Sequence, residues 1–253
     1  MSTINVSHDS FTCHQVDDFA VLTILEGAGL LSTTVSGIEQ LVELMNTIRD
    51  SEQINGLAVL YSDKYHGDAE YKQFLEESLK EKNVNLEGRF ATTYKIALIR
   101  IIEILNTFPM PIVGGMNGDI GPDSFAANMV FDLRIATHDT SFIHPNLRLG
   151  LPPSPPLTFY LSHNLGPSKA TELILTKPRF SSKEALDLGL ITQVVSAQDL
   201  EKTCLDQLRQ LSTIPGHAIA EARRMLQPDL DETRKYIEAG IKGSIRSLYK
   251  MKS

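Results

Sequence analysis

The 253 residues carry 31 acidic against 24 basic side chains, a formal net charge of −7, with 42% hydrophobic residues. A chain of this size buries a substantial core, and its acidic balance excludes the basic surface of a nucleic-acid binder. Cys13 and Cys204 stand isolated, which excludes a zinc ribbon or a disulfide framework and suits a reducing cytosol, and no apolar run is long enough to cross a bilayer, so a cytoplasmic protein with no membrane partner is expected.

In chain order, short apolar runs rich in β-branched residues alternate with segments of helical period. FAVLTIL at 19–25 predicts a strand, a helical pattern covers about 36–49, GLAVLYS at 56–62 predicts the next strand, and helical character resumes near Ala69. That alternation predicts a mostly parallel sheet with crossover helices. In YKIALIRIIEILNTF, 94–108, Leu98, Ile101, Ile102, Leu105 and Phe108 recur at helical spacing and Ile99 and Ile104 widen the face; Pro109 then stops the helix before the strand PIVGGM. An apolar face that wide predicts a buried helix. FDLRIA at 131–136 predicts another strand, and after the proline-rich LPPSPP, 151–156, come helical segments, the strand LITQVV at 190–195 and an almost wholly helical tail from about 198. Leu205, Leu208 and Leu211, then Ile237, Ile241, Ile245 and Leu248, predict helix faces packed on the core or on another subunit. The domain reading is an α/β core over 1–197 followed by a helical region over 198–253 that serves oligomerisation.

The usual nucleotide and hydrolase motifs are absent. Gly115, Gly118 and Gly121 follow a strand at the wrong spacing for a dinucleotide fingerprint, and no P-loop, nucleophile elbow or zincin motif occurs. No metal site is expected. The stretch NGDIGPDSFAAN, 117–128, has the form of a glycine-rich turn running into a helix, yet it carries Pro122 and Asp123 where such a turn is usually barest.

PIVGGMNGDIGPDSFAANMVFDLRIAT resembles the crotonase (enoyl-CoA hydratase/isomerase) superfamily, with its strand, NG turn, glycine-rich loop, helix and D-x-R-I-A-like strand, in a gapless register from Pro111 to Ala136. SFIHPNLRLGLPPSPP is similar to the family's F-x-x-P-E-x-x-x-G-x-x-P segment, and LTKPRFSSKEALDLGLITQVV, 175–195, to its L-T-G…A-x-x-A…G-L-V signature. Upstream, NGLAVLYSDKYHGDAEY at 55–71 stands where the family's first oxyanion strand ends.

The resemblance implies a crotonase-like spiral of ββα units with a helical C-terminal region, assembled as a homo-oligomer, a trimer or a hexamer. It implies an acyl-CoA substrate whose CoA is part of the substrate, with no separate cofactor. In the family two backbone N–H groups hold the thioester oxygen as it gains enolate charge. Here the matching positions are Asp68, after Gly67, and Asp123 at the helix N-terminus, where orphan N–H groups favour negative charge.

Several positions depart from the family pattern. Its two catalytic glutamates fall on Ala126 and Asn146, which cannot exchange protons, so ordinary hydratase action is disfavoured. Pro122 suits the first helical position, and Asp123 is read either as a first-turn cap, with Ser124, or as an acid or base. His144 is either a replacement base with Asn146 as an orienting amide, or a side chain bonded behind the strand; His66, before Gly67, is either a carbonyl-polarising group or solvent-facing. Asp119 belongs to turn chemistry. The family's CoA-holding R-P…N-A-L stretch reads TILEGAGLLSTT, with Glu26 and no base. Three functions therefore stand open: an acyl-thioester isomerase, lyase or C–C hydrolase; a catalytically silent acyl-CoA-binding or subunit-interaction protein; and an enzyme on pantetheine-linked acyl groups of a carrier protein.

Overall fold

A computed structural model describes residues 4–25, 35–62 and 97–252, and the elements are numbered over these residues. In chain order they are β1 (Asn5–Ser7), β2 (Phe11–Val16), β3 (Phe19–Ile24), α1 (Val35–Arg49), β4 (Gly56–Tyr61), α2 (Ile99–Asn106), β5 (Ile112–Met116), β6 (Asp119–Ile120) and α3 (Pro122–Asn128). Then follow β7 (Leu133–Thr137), β8 (Ser141–Ile143), α4 (Pro155–Leu165), α5 (Pro167–Thr176), β9 (Arg179–Ser181), α6 (Ser182–Asp187), β10 (Gln193–Val195), α7 (Leu200–Leu211), α8 (Gly216–Leu226) and α9 (Leu230–Lys252).

The main sheet has the order β1-β2-β3-β4-β5-β7-β10. Its first two pairings are antiparallel and the rest parallel. The strands expected in FAVLTIL, GLAVLYS, PIVGGM and FDLRIA are β3, β4, β5 and β7; LITQVV is a strand only over Gln193–Val195. Helical character from Ala69 falls outside the described residues. Further along, α2 buries Ile99, Ile101, Ile102, Ile104 and Leu105, as its wide apolar face requires.

Both faces of the sheet are covered, which is why the central strands read as continuous apolar runs. β3 turns Ala20 and Leu22 towards α1 and α2, and Phe19 and Val21 towards α7. On that second face Leu200, Cys204 and Leu208 of α7 pack on Val21, Ala58 and Val113. Each large side chain so buried contributes about 1.5–3 kcal/mol. Strand β5 admits these layers because it carries no side chain at its centre. A Cβ on Gly115 would lie 2.9 Å from the Cys204 sulfur, and one on Gly114 would lie 2.6 Å from Phe131 and 2.7 Å from Asn128 Oδ1. In α9, Ile237 and Ile241 are buried and Ile245 packs beside them; the side chain of Leu248 is outside the described residues.

An ion pair with a buried guanidinium and a partly exposed carboxylate ties α8 to the sheet. Arg223 donates to Asp132 through Nε at 3.0 Å and Nη2 at 2.7 Å. It also donates to the carbonyls of Phe108 at 2.6 Å and Met110 at 2.9 Å. Asp132 accepts the Ile112 N–H at 2.7 Å as well. One guanidinium thus joins the end of α2, the start of β5 and the turn before β7, a geometry that matches its planar fork of donors.

A smaller sheet, β6-β8-β9, carries α3 against it. Phe125 of α3 packs on Phe142 with ring centroids 4.3 Å apart, and Phe142 stacks on Phe180 at 5.2 Å. This aromatic stack fixes the helix that holds Asp123. Both cysteine thiols are buried and pushed up to about 12 by desolvation. Among the described residues no cluster of His, Cys, Asp and Glu could hold a metal, and no helix is long and apolar enough to cross a membrane.

Candidate active site

The route into α3 is built for a sharp approach. After β5, Gly118 turns the chain at φ 78°, a left-handed geometry open to glycine, and β6 leads to Gly121, the N-cap. Pro122 occupies the first helical position, where its missing N–H is no loss. The first intrahelical bond runs from Phe125 N–H to the Gly121 carbonyl at 2.9 Å, which places Asp123 and Ser124 in the first turn, at the positive end of the helix dipole.

The N-cap residue is a glycine and has no side chain to cap the helix. Asp123 stands at the second helical position, buried to 3% exposure, and its Oδ1 accepts the Ser154 hydroxyl at 2.6 Å. Its charge still favours the helix dipole, but its bond joins α3 to LPPSPP, 31 residues on in the chain. Ser154 is the N-cap residue of α4 and is itself fully buried.

Asn146 anchors the other end of the same segment. Its Nδ2 donates to the Pro152 carbonyl at 3.1 Å and its own carbonyl accepts the Leu151 N–H at 2.9 Å. A carboxylate has no donor for Pro152, so an amide suits this position where glutamate does not. Asp123 and Asn146 are thus brought to one proline-stiffened loop.

His144 takes a different direction. Its N–H donates to Pro178 at 2.9 Å, its ring lies 6.3 Å from Phe180, and a further bond involves the Lys177 backbone. None of these reaches Asp123 or Asn146, and Nε2 is buried without a hydrogen-bond partner among the described residues. Burial pushes its pKa down, against the Lys177 bond. A histidine held neutral this way binds fewer protons than in the unfolded chain below its ordinary pKa of about 6.5, so it stabilises the fold above that pH and loses the contribution on acidification. His144→Gln should therefore flatten the fall in melting temperature between pH 7.5 and 5.5, relative to the wild type, in calorimetry. An unchanged slope would show that His144 does not titrate differently on folding.

Asp119 pairs with Arg179 in a two-pronged bond at 2.6 and 3.0 Å, bridging β6 and β9. His66, Gly67 and Asp68 lie outside the described residues. The sequence reading missed Ser154, Tyr61 and Asn128. Asn128 Nδ2 donates to the Tyr61 hydroxyl at 2.8 Å and to the Ser124 carbonyl at 2.7 Å. Burial raises the Tyr61 phenol to about 12, opposed by its hydrogen bonds to Asn128 and Ser124. Tyr61, Ser124 and Ala127 border a largely apolar cavity of about 60 Å³. Polar residues in otherwise apolar strand and helix patterns were the available signal.

A sheet of mostly parallel strands, a smaller sheet beside it and a buried polar cluster at the start of α3 define the class. The chain belongs to the enoyl-CoA hydratase/isomerase family, whose model matches residues 71–251. Carnitinyl-CoA dehydratase of Salmonella typhi is 26% identical over 135 residues, 52% of each chain. Methylmalonyl-CoA decarboxylase of Escherichia coli is 28% identical over 140 residues, 55% of this chain and 54% of that one. The chain thus spans about half the length of the curated relatives it matches. Among solved structures, the enoyl-CoA hydratase of Bacillus halodurans shares the fold with a TM-score of 0.79 at 19% identity, over 95% of each chain. Methylmalonyl-CoA decarboxylase in complex with 2-nitronate-propionyl-CoA gives 0.71 at 20% identity, over 96% of this chain and 92% of that one.

Proposed function

We propose that this protein is an acyl-thioester enzyme that works through an enolate without the hydratase glutamates, using Asp123 as the group that moves the proton. The observation that carries the reading is the buried Asp123 carboxylate, held by Ser154 at 2.6 Å in the first turn of α3. By family resemblance, backbone N–H groups at the positions of Asp68 and Asp123 would grip the thioester oxygen. Ser154 keeps the carboxylate turned towards the LPPSPP loop, so its charge need not sit on those donors. A single carboxylate suffices for an isomerase if it takes a proton from one carbon and returns it to another; for a lyase or C–C hydrolase it would take the proton from a substrate hydroxyl, or from the water that attacks a carbonyl, as the C–C bond breaks, and give it to the enolate carbon left behind. The relatives' names, a dehydratase and a decarboxylase of CoA esters, support the substrate class.

Calorimetric titration with a panel of acyl-CoA and acyl-pantetheine thioesters, with product chromatography on each, tests the reading. Binding and turnover of at least one member are expected, and binding by none would overturn it. Crotonyl-CoA hydration should be undetectable, because Ala126 and Asn146 offer no acid–base pair; a family-typical rate would reject the role given to Asp123. We further propose a homo-oligomer, a trimer or hexamer, supported by Met225 at 73% and Leu226 at 77% exposure at the end of α8. Sedimentation at micromolar concentration should show it, and a stable monomer would count against it.

A further inference from the structure

We propose that Gly240, in the C-terminal helix α9, is a positioning residue for Asp123 that acts through Pro155 and Ser154; this rests on the reading that Asp123 moves the proton. Helix α9 crosses the start of α4 at very close range. A Cβ built on Gly240 would lie 2.5 Å from Pro155 Cβ and 2.6 Å from Pro155 Cγ, inside any distance that two carbon atoms accept. The proline ring has no rotamer to turn aside, so a side chain at 240 must push the first turn of α4 away.

Ser154 is the residue immediately before Pro155, and its hydroxyl makes the 2.6 Å bond to Asp123. It has little freedom to compensate, since Pro155 restricts the backbone of the residue ahead of it and Thr158 N–H bonds the Ser154 carbonyl at 3.1 Å. Elsewhere α9 is anchored to the body that α4 belongs to. Ile237 and Ile241 flank Gly240 and are buried at 0% and 3%, Thr233 bonds the Tyr160 side chain, and the Tyr236 ring lies 5.1 Å from Phe159. The helix cannot retreat to make room, and the displacement goes into the loop.

Glycine within a helix is unfavourable relative to alanine, so a mid-helix glycine calls for a local reason. At Gly240 the reason is Pro155. The same helix carries a second glycine, Gly243, where an added Cβ meets nothing within 4 Å. Gly243→Ala therefore reports the helix-propensity effect alone, and Gly240→Ala adds the push on Pro155.

The test reads the Asp123 side-chain carboxyl carbon by NMR of protein labelled in its aspartate carboxyls, at fixed neutral pH and without any ligand, the resonance being assigned with Asp123→Asn. Ser154→Ala should shift it by removing the hydroxyl donor. Gly240→Ala should shift it in the same direction, Gly243→Ala should leave it in place, and the double variant Ser154→Ala/Gly240→Ala should match Ser154→Ala alone, since both act on one bond. If Gly240→Ala does not fold, the exchange Gly240→Ala/Pro155→Gly moves the side chain from one helix to the other and should restore the wild-type resonance. A resonance unmoved by Gly240→Ala, moved equally by Gly243→Ala, or not restored by the exchange, overturns the proposal. Because no substrate enters this measurement, a failure of every thioester to bind bears on the function and leaves the positioning result intact.

Discussion

Arg223→Met should lower stability by about 3–5 kcal/mol, the range for removing one partner of a buried ion pair. For a domain of this size that is a fall in melting temperature on the order of 10 °C. The guanidinium is 1% exposed and serves two carbonyls besides the carboxylate. Its loss strands the buried Phe108 and Met110 carbonyls and leaves Asp132, 17% exposed, without its cation. Arg223→Lys should recover little, because one ammonium cannot span the carboxylate and both carbonyls in the directions they occupy. Arg223→Met/Asp132→Asn should recover more, since it removes the stranded charge and keeps an acceptor for Ile112. Denaturant melts of the three variants decide the matter: a loss below about 1 kcal/mol for Arg223→Met, the level of a surface pair, would show that the network is not closed to solvent.

Asp123→Asn should reduce turnover of the accepted thioester by about 10²–10⁴-fold, the usual contribution of a positioned proton-transfer group, with the thioester's affinity held. The substitution is conservative for structure. Asparagine keeps an oxygen to accept the Ser154 hydroxyl and suits the first turn of a helix. Ser154→Ala should act more mildly, about tenfold or somewhat more, as expected for losing one hydrogen bond to a charged group. Steady-state kinetics with parallel calorimetry separate the cases. Tighter binding in Asp123→Asn with no turnover in any form of the protein would instead mark a carboxylate that only obstructs the N–H groups, and with it a silent binding protein.

The parallel strands were legible because burial on both faces makes them unbroken apolar runs, and α2 because a helix covered on so many sides needs a wide apolar face. Strand β1 was not, since all three of its residues are exposed and carry no pattern. Strand β2 buries Phe11 and Cys13 but alternates them with Thr12 and His14, a short run of apolar and polar residues next to the edge strand β1. The aromatic stack of Phe125, Phe142 and Phe180 draws on three separate elements, and no local period records it. The site divides in the same way. Asp123 and Asn146 were visible as departures from a family pattern, and Pro122 as a residue suited to its helical position. Ser154 was hidden because a serine among prolines announces a turn, while its partner lies 31 residues away. Tyr61 and Asn128, 67 residues apart, each stand as a polar group in an apolar element, and no local period records that they bond each other. His144 was read with two alternatives, and its bonds to the Pro178 and Lys177 backbone weight the structural one.

The helix α7 has a bearing on how the chain is made. Strands β3, β4 and β5 leave the ribosome well before Leu200, Cys204 and Leu208, and until those residues arrive Val21, Ala58 and Val113 have nothing from α7 to cover them. The Phe19 and Leu208 side chains would both lie 3.0 Å from a Cβ on Gly56, so the beginning of the sheet and a late helix meet at one point. Contacts this distant in sequence form slowly, and a nascent chain showing an apolar sheet face is prone to associate wrongly. Synthesis halted near residue 197 would release such a chain, whereas synthesis continued by little more than one helix would let it close.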